Sequence, residues 1–118
     1  MAPDQIKNDM GQAILLRTVE HVFVESTFNN NNRNPAMRSE WYVLEGPNAG
    51  SIRTGLILGT RLVAYLVETA VDGGSPMVRR LMTRPIPERP EARHYVLEPV
   101  DDPELLERAE RVRSALGW

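Results

Sequence analysis

Two histidines and a cluster of arginines are the residues of this 118-residue chain whose types and spacing bear on chemistry. His21 lies between Glu20 and Glu25, and a nearby carboxylate can orient an imidazole as a general base or complete half of a metal site. His94 is the other imidazole. The two histidines have no recognisable ligand spacing, so no metal site is expected, and His21, Glu25 and His94 are the whole list of catalytic candidates. A phosphate-cradling glycine loop and a serine elbow are both missing. The absence of cysteine removes thiolate ligands, a thiol nucleophile and any disulfide framework. The chain reads as non-catalytic and free of cofactors, with a small enzyme using a His general base as the least favoured alternative.

Arg79, Arg80, Arg84, Arg89 and Arg93 concentrate positive charge in a proline-rich segment opposed only by Glu88 and Glu91. Such a strip can bind phosphates. It equally fits an exposed edge strand and loop whose charges guard against edge pairing. No aromatic residue falls between Tyr65 and Tyr95, so the strip lacks stacking partners for single-stranded nucleic acid along its own sequence. Thirteen of the fourteen basic residues are arginine, Lys7 being the exception. Arginine forks suit phosphates and carboxylates, but a GC-rich coding sequence explains the bias more simply. A net charge of −2 argues against binding a polyanion through the overall field.

The elements that position these residues are organised around Ser39 to Val71, where Trp41–Leu44 and Leu56–Val71 flank the turn Gly46-Pro47-Asn48-Ala49-Gly50. A domain of this size removes about two thirds of its extended surface from water, and this stretch supplies most of the core. Residues 1 to 12 are polar and read as a flexible end with at most one helical turn. Residues 18 to 28 read as a strand, with 13 to 17 open between strand and helix. Asn29 to Asn32 and the following Arg33-Asn34-Pro35 read as a loop. In Glu40 to Glu45, Trp41 and Val43 face one side and Tyr42 and Leu44 the other, a strand buried on both faces. Ser51 to Leu58 returns across the turn as its hairpin partner.

Gly59-Thr60 decides the architecture. As a tight turn it starts another strand, Arg61 to Ala70. As a helix start, Thr60 is the N-cap and Gly73 the C-terminal cap, with Leu62, Val63, Leu66, Val67, Ala70 and Val71 on one face. The β-rich composition favours the strand. Met77 to Thr83 reads as a strand, Arg84 to Pro90 as an extended surface segment, and Arg93 to Glu98 as a last strand. The chain ends in a helix over 102–116, capped by Asp101 or Asp102 at one end and Gly117 at the other. Leu105, Ala109, Val112 and Leu116 form its apolar stripe, and Trp118 is placed to fold back onto Val112.

Val43-Leu44-Glu45 followed by Gly46-Pro47-Asn48-Ala49-Gly50 resembles the turn of KOW motifs, β-barrel elements of transcription elongation factors and ribosomal proteins. The resemblance covers residues 43–57, with Gly55 two positions later than the pattern. It implies contacts to nucleic acid or to a transcription or translation partner, and makes Asn48 a binding candidate beside the arginines. The Gly46, Gly50 and Gly59 spacing is also similar to the first hairpin of forkhead-associated domains, whose phosphothreonine-reading Arg, Ser and His have no counterparts here.

The expected fold is α+β and β-rich: a curved antiparallel sheet or small β-barrel over residues 13–118, one domain, with a C-terminal helix packed on it. The leading expectation for function is a non-catalytic module that binds another protein, or itself as a homo-oligomer through apolar strand faces such as Trp41 or Tyr65. The alternative is a nucleic-acid or ribonucleoprotein accessory factor using the arginine strip. No signal-like segment opens the sequence, and no apolar run approaches the roughly 20 residues of a membrane span, so a cytoplasmic location without membrane contact is the default. Leu105→Asp or Val112→Asp should unfold the domain or make it aggregate, read as lost far-ultraviolet ellipticity or loss of soluble protein.

Overall fold

The computed structural model describes residues 5–25, 33–69 and 75–118. A single 3-10 turn, Ile6–Asp9, leads into strand β1 (Ala13–Glu25), followed by β2 (Arg33–Val43), β3 (Ile52–Leu58), helix α1 (Thr60–Thr69), β4 (Met77–Ile86), β5 (Arg89–Pro99) and helix α2 (Pro103–Leu116). The five strands form one antiparallel sheet in the order β3-β2-β1-β4-β5. The sheet curls into a half-barrel, bearing out the expected curved α+β fold with a C-terminal helix. No helix among the described residues is long and apolar enough to cross a membrane.

Alternation along the strands builds two cores. Ile14 and Leu16 of β1, Trp41 and Val43 of β2, Ile57 of β3, Leu81 of β4 and Leu97 of β5 share the inner core with Leu62 and Leu66 of α1 and Ile6 of the N-terminal turn. Ala13, Leu15 and Leu44 face the other way and bury α2 through Leu105 and Ala109, with Tyr42, Val78, Val112 and Trp118 around them. Trp41–Leu44 is therefore buried on both faces, as its composition predicts. The β2–β3 turn is also as read: Gly46 and Gly50 hold φ of 83° and 93°, and the Gly50 N–H donates to the Val43 carbonyl at 2.9 Å.

The segment after Gly59 is a helix, and the strand expected for Arg61 to Ala70 is wrong. Leu62, Val63 and Leu66 are buried while Arg61, Ala64, Val67 and Glu68 are exposed, a period of 3.6 and not of 2. Topology supplies the reason. The strand after β3 pairs with β1 and not with β3, so a tight turn cannot connect them, and α1 makes the crossover while adding Leu62 and Leu66 to the core. Gly59 does take the positive φ expected of a turn residue, 111°, but its carbonyl accepts the first helical hydrogen bond, from Val63 N–H at 2.9 Å. The proposed cap Gly73, residues 26–28 of the first strand and Asn29–Asn32 lie outside the described residues.

Arg33 to Pro35, read as a loop, is strand, and most of the segment read as extended over the surface, Arg84 to Pro90, belongs to paired strands. Arg33 to Pro35 extends β2 against Phe23 to Glu25 of β1, and Arg84 to Ile86 continues β4 to a tight turn at Pro87-Glu88 before β5 begins at Arg89. In both places the partner strand overrides the local bias against pairing, and Pro85 and Pro90 are accommodated near the hairpin end. α2 follows expectation: the Asp102 side chain accepts from Glu104 N–H at 2.9 Å, Pro103 occupies the first turn and Gly117 is left-handed at φ 72°.

Leu66 is fully buried in the inner core whereas Leu58 lies exposed on an edge strand. Leu66→Ala should cost about 2–5 kcal/mol, and Leu58→Ala should stay within about 0.5 kcal/mol of the parent, both measured as urea-denaturation midpoints at constant m-value.

Candidate functional site

The alternation that builds the cores divides the five arginines. Arg79 and Arg93 fall on the inner-core face of the β4–β5 hairpin, Arg80 and Arg84 on the outer face, and Arg89 at the exposed start of β5. Arg79 is half-buried, donating from Nε to the Tyr65 hydroxyl at 3.2 Å and from Nη1 to the Val78 carbonyl at 2.8 Å. Arg80 is bound to Glu45 at 2.8 Å and Arg84 pairs with Glu98, so carboxylates neutralise both outer-face arginines. Arg93, exposed, holds Thr83 through Nε to Oγ1 at 3.0 Å and through Nη2 to the carbonyl at 2.9 Å. A continuous five-arginine strip does not exist. Asn48 stands exposed at the tip of the β2–β3 turn, on a different hairpin.

The histidines also stay apart. His21 is exposed on β1 beyond a bulge at Val19, its ring 5.1 Å from that of Phe23. His94 is half-buried on β5 opposite Arg84. Strands β1 and β5 are not neighbours in the sheet. The Glu25 side chain lies outside the described residues. Among the described residues no three His, Cys, Asp or Glu side chains gather as a metal site would need.

What the fold does assemble is a cleft at the seam of the half-barrel. Strands β3 and β5 are the two edges of the sheet and do not pair. Between them opens a cleft of about 290 Å³ lined by Leu56, Leu58, Leu62, Leu81 and Tyr95, with Gln5, Ile6 and Lys7 of the N-terminal segment along one side. Tyr95 is 42% exposed and Leu58 54%, two large side chains open to solvent along one cleft. Thr83 sits directly across the β4–β5 pair from Tyr95, and Arg93 lies two residues before Tyr95 on the same face. An apolar floor, an exposed aromatic ring and the Lys7 cation along one side suit a flat ring that carries an anionic group.

Tyr95 and Lys7 escaped the sequence reading. Tyr95 shares a strand face with Leu97, and only Leu97 is buried there. Because Tyr95 is on β5, it also supplies β4 with the aromatic partner that the arginine segment lacks in sequence. Lys7 shows no pattern at all.

A second, more polar cleft of about 650 Å³ lies where α2 meets β1, lined by Arg17, Thr18, Glu110, Arg113 and Trp118 among others. Its charges are matched internally. Arg17 reaches Glu40 at 3.2 Å and stacks 5.4 Å over the Trp118 ring, and Arg113 binds Glu110 at 3.0 Å and the Trp118 carbonyl at 3.0 Å.

Glu45 explains why Arg80 is withdrawn from any anion. Its Oε2 accepts from Arg80 and, at 2.6 Å, from the Ala13 N–H. The Arg80 hydrogen bond lowers the Glu45 carboxyl below its ordinary 4.5, partial burial opposes this, and the Ala13 amide adds to it. A carboxylate lowered in the folded state stabilises it above the unfolded value and loses that contribution as pH falls through the folded value. Glu45→Gln should therefore lower the urea midpoint at neutral pH, and the gap from the parent should close progressively as pH drops below about 4.5.

Comparison of the chain with protein-family models, with curated proteins and with solved structures finds no match to any of them.

Proposed function

We propose that the chain is a non-catalytic binding module for single-stranded nucleic acid, with the seam cleft as its contact site. The single observation that carries this reading is the exposed Tyr95 ring in an apolar cleft, with Lys7 at the rim and Arg93 beside it on the same strand face. Stacking of a base on an exposed aromatic ring contributes about 1–3 kcal/mol and tolerates any sequence, because every base has a π-face. The cations then need to meet only one or two phosphates. That local arrangement is compatible with a net charge of −2, which disfavours binding through a long-range field.

Connectivity supports the same reading at the level of analogy. Strands β1, β2 and β3 follow one another as neighbours, and β4 returns through α1 to lie beside β1, the Greek-key order. Five-stranded, partly open Greek-key barrels are the architecture of oligonucleotide- and oligosaccharide-binding folds. Such a likeness raises the prior and decides nothing about chemistry.

A protein partner is the second reading, favoured by exposed Ile52 and Leu58 on edge strand β3. Self-association through Trp41 has no support, since that ring is fully buried.

The test is fluorescence anisotropy with labelled oligothymidylate and oligouridylate of about a dozen nucleotides, within the usual site sizes. Binding should weaken with salt. Tyr95→Ala should lower affinity by roughly tenfold, Arg89→Glu with Arg93→Glu should lower it further and flatten the salt dependence, and Arg84→Gln on the opposite face should leave it unchanged. Wild-type protein that binds neither oligonucleotide at low salt rejects the reading, and concentration-dependent light scattering in the same sample would move the assignment to self-pairing.

A further inference from the structure

Asp9 is a buried charge that the cleft does not explain. Its side chain is enclosed, the residue being only 2% exposed. Oδ2 accepts from Trp41 Nε1 at 2.8 Å and lies 3.4 Å from Arg53 Nε. Oδ1 is buried with no hydrogen-bond partner. Leaving a buried oxygen unpaired forfeits its hydration without return, so the seat holds Asp9 less firmly than its burial implies.

The seat itself is built by the sheet. Trp41 and Arg53 are directly paired across β2 and β3 and point to the same inner face. Two N–H donors, one of them cationic, thus converge on one point below the seam, and a carboxylate from the chain's own N-terminal turn fills it. That turn is four residues of 3-10 helix, whose hydrogen-bond geometry is poorer than that of an α-helix and whose runs stay short. It is secured by Ile6 in the core and by the Gly11 N–H to the Leu81 carbonyl at 2.9 Å. It also forms a wall of the cleft through Ile6 and Lys7.

We propose that Ile6–Asp9 is a displaceable plug, and that Asp9 occupies an anion site, made by Arg53 and Trp41 Nε1, which a phosphate group takes when the plug lifts. Arg53 retains partial exposure, which gives the incoming anion a solvated approach. A phosphate has more oxygens than a carboxylate and keeps some of them in water while two donors hold the rest. That the phosphate belongs to a nucleic-acid strand rests on the cleft reading above. The anion site does not.

The test uses the full chain carrying Trp118→Phe, so that Trp41 is the sole tryptophan, with oligothymidylate and inorganic phosphate as separate probes. Asp9→Asn keeps an acceptor for Trp41 and removes the competing charge. It should bind oligothymidylate roughly tenfold tighter, as expected if the plug is open about one tenth of the time in the parent. Adding Arg53→Gln should cancel that gain. Trp41 emission should respond to the oligonucleotide, or to phosphate alone if the site takes a free anion, and should not respond in the double variant.

Unchanged or weaker oligonucleotide affinity in Asp9→Asn, alongside a loss in Tyr95→Ala, overturns the plug and leaves the cleft reading intact. If no oligonucleotide binds any variant, a phosphate response of Trp41 in Asp9→Asn that Arg53→Gln abolishes still supports the site, and no response overturns it. Should Asp9→Asn fail to fold, native-state hydrogen exchange of the parent decides. Gly11 N–H exchanging well before Trp41 N–H supports a plug, and both exchanging only on global unfolding overturns it.

Discussion

The seam between β3 and β5 is the constraint on which the rest of the molecule depends. The central strand β1 is paired on both sides, to β2 along its length and to β4 through Ala13–Leu16. The curl leaves the outer strands unpaired with each other. An inner core drawn from all five strands cannot be left open along that line, because every apolar side chain under it would lose its burial. The chain covers it with what lies nearest in sequence: α1 on leaving β3, and the N-terminal turn on entering β1. Neither cover is a strand, so neither completes the ladder, and the uncovered remainder is the cleft.

The outer face is held differently. There α2 supplies a continuous lid, and polar contacts fix its position against the strand ends. Arg108 donates to the Leu44 carbonyl at 2.6 Å, while Glu45 in the same segment ties Arg80 to the Ala13 amide. Each of these groups meets a partner, unlike Asp9 Oδ1 on the inner side. The outer side, its polar cleft included, is thus electrically matched, and the inner side retains an exposed ring and an unpaired oxygen. Functional surfaces are expected where packing and polar pairing are left incomplete.

How much of this was legible in the sequence varied with the range of the deciding interaction. The Gly46–Gly50 turn and the 102–116 helix were readable because glycine conformation, Asp102 capping and the Leu105–Ala109–Val112 stripe are local. The helix at Thr60–Thr69 was legible only as the less favoured of two readings, since Leu-Val-Ala-Tyr-Leu-Val has strand-like content and only the return of β4 to β1 demands a crossover. The arginine cluster misled for a related reason. Neighbours such as Arg79 and Arg80 adjoin in sequence yet point to opposite faces of a strand, and the carboxylates that neutralise Arg80 and Arg84 come from Glu45 and Glu98, far along the chain. Asp9 carried no signal, because a polar residue in a short polar segment gives no hint of burial until the seam that receives it is known.

The two borders of the sheet are unequally defended. Strand β5 carries Pro90 and Pro99, which have no N–H to offer a neighbour, whereas β3 runs from Ile52 to Leu58 with neither proline nor lysine. Growth into a fibre requires a molecule that can accept on one border and donate on the other. Of the two borders, only β3 is free of proline, so room for an added strand is confined to that one side.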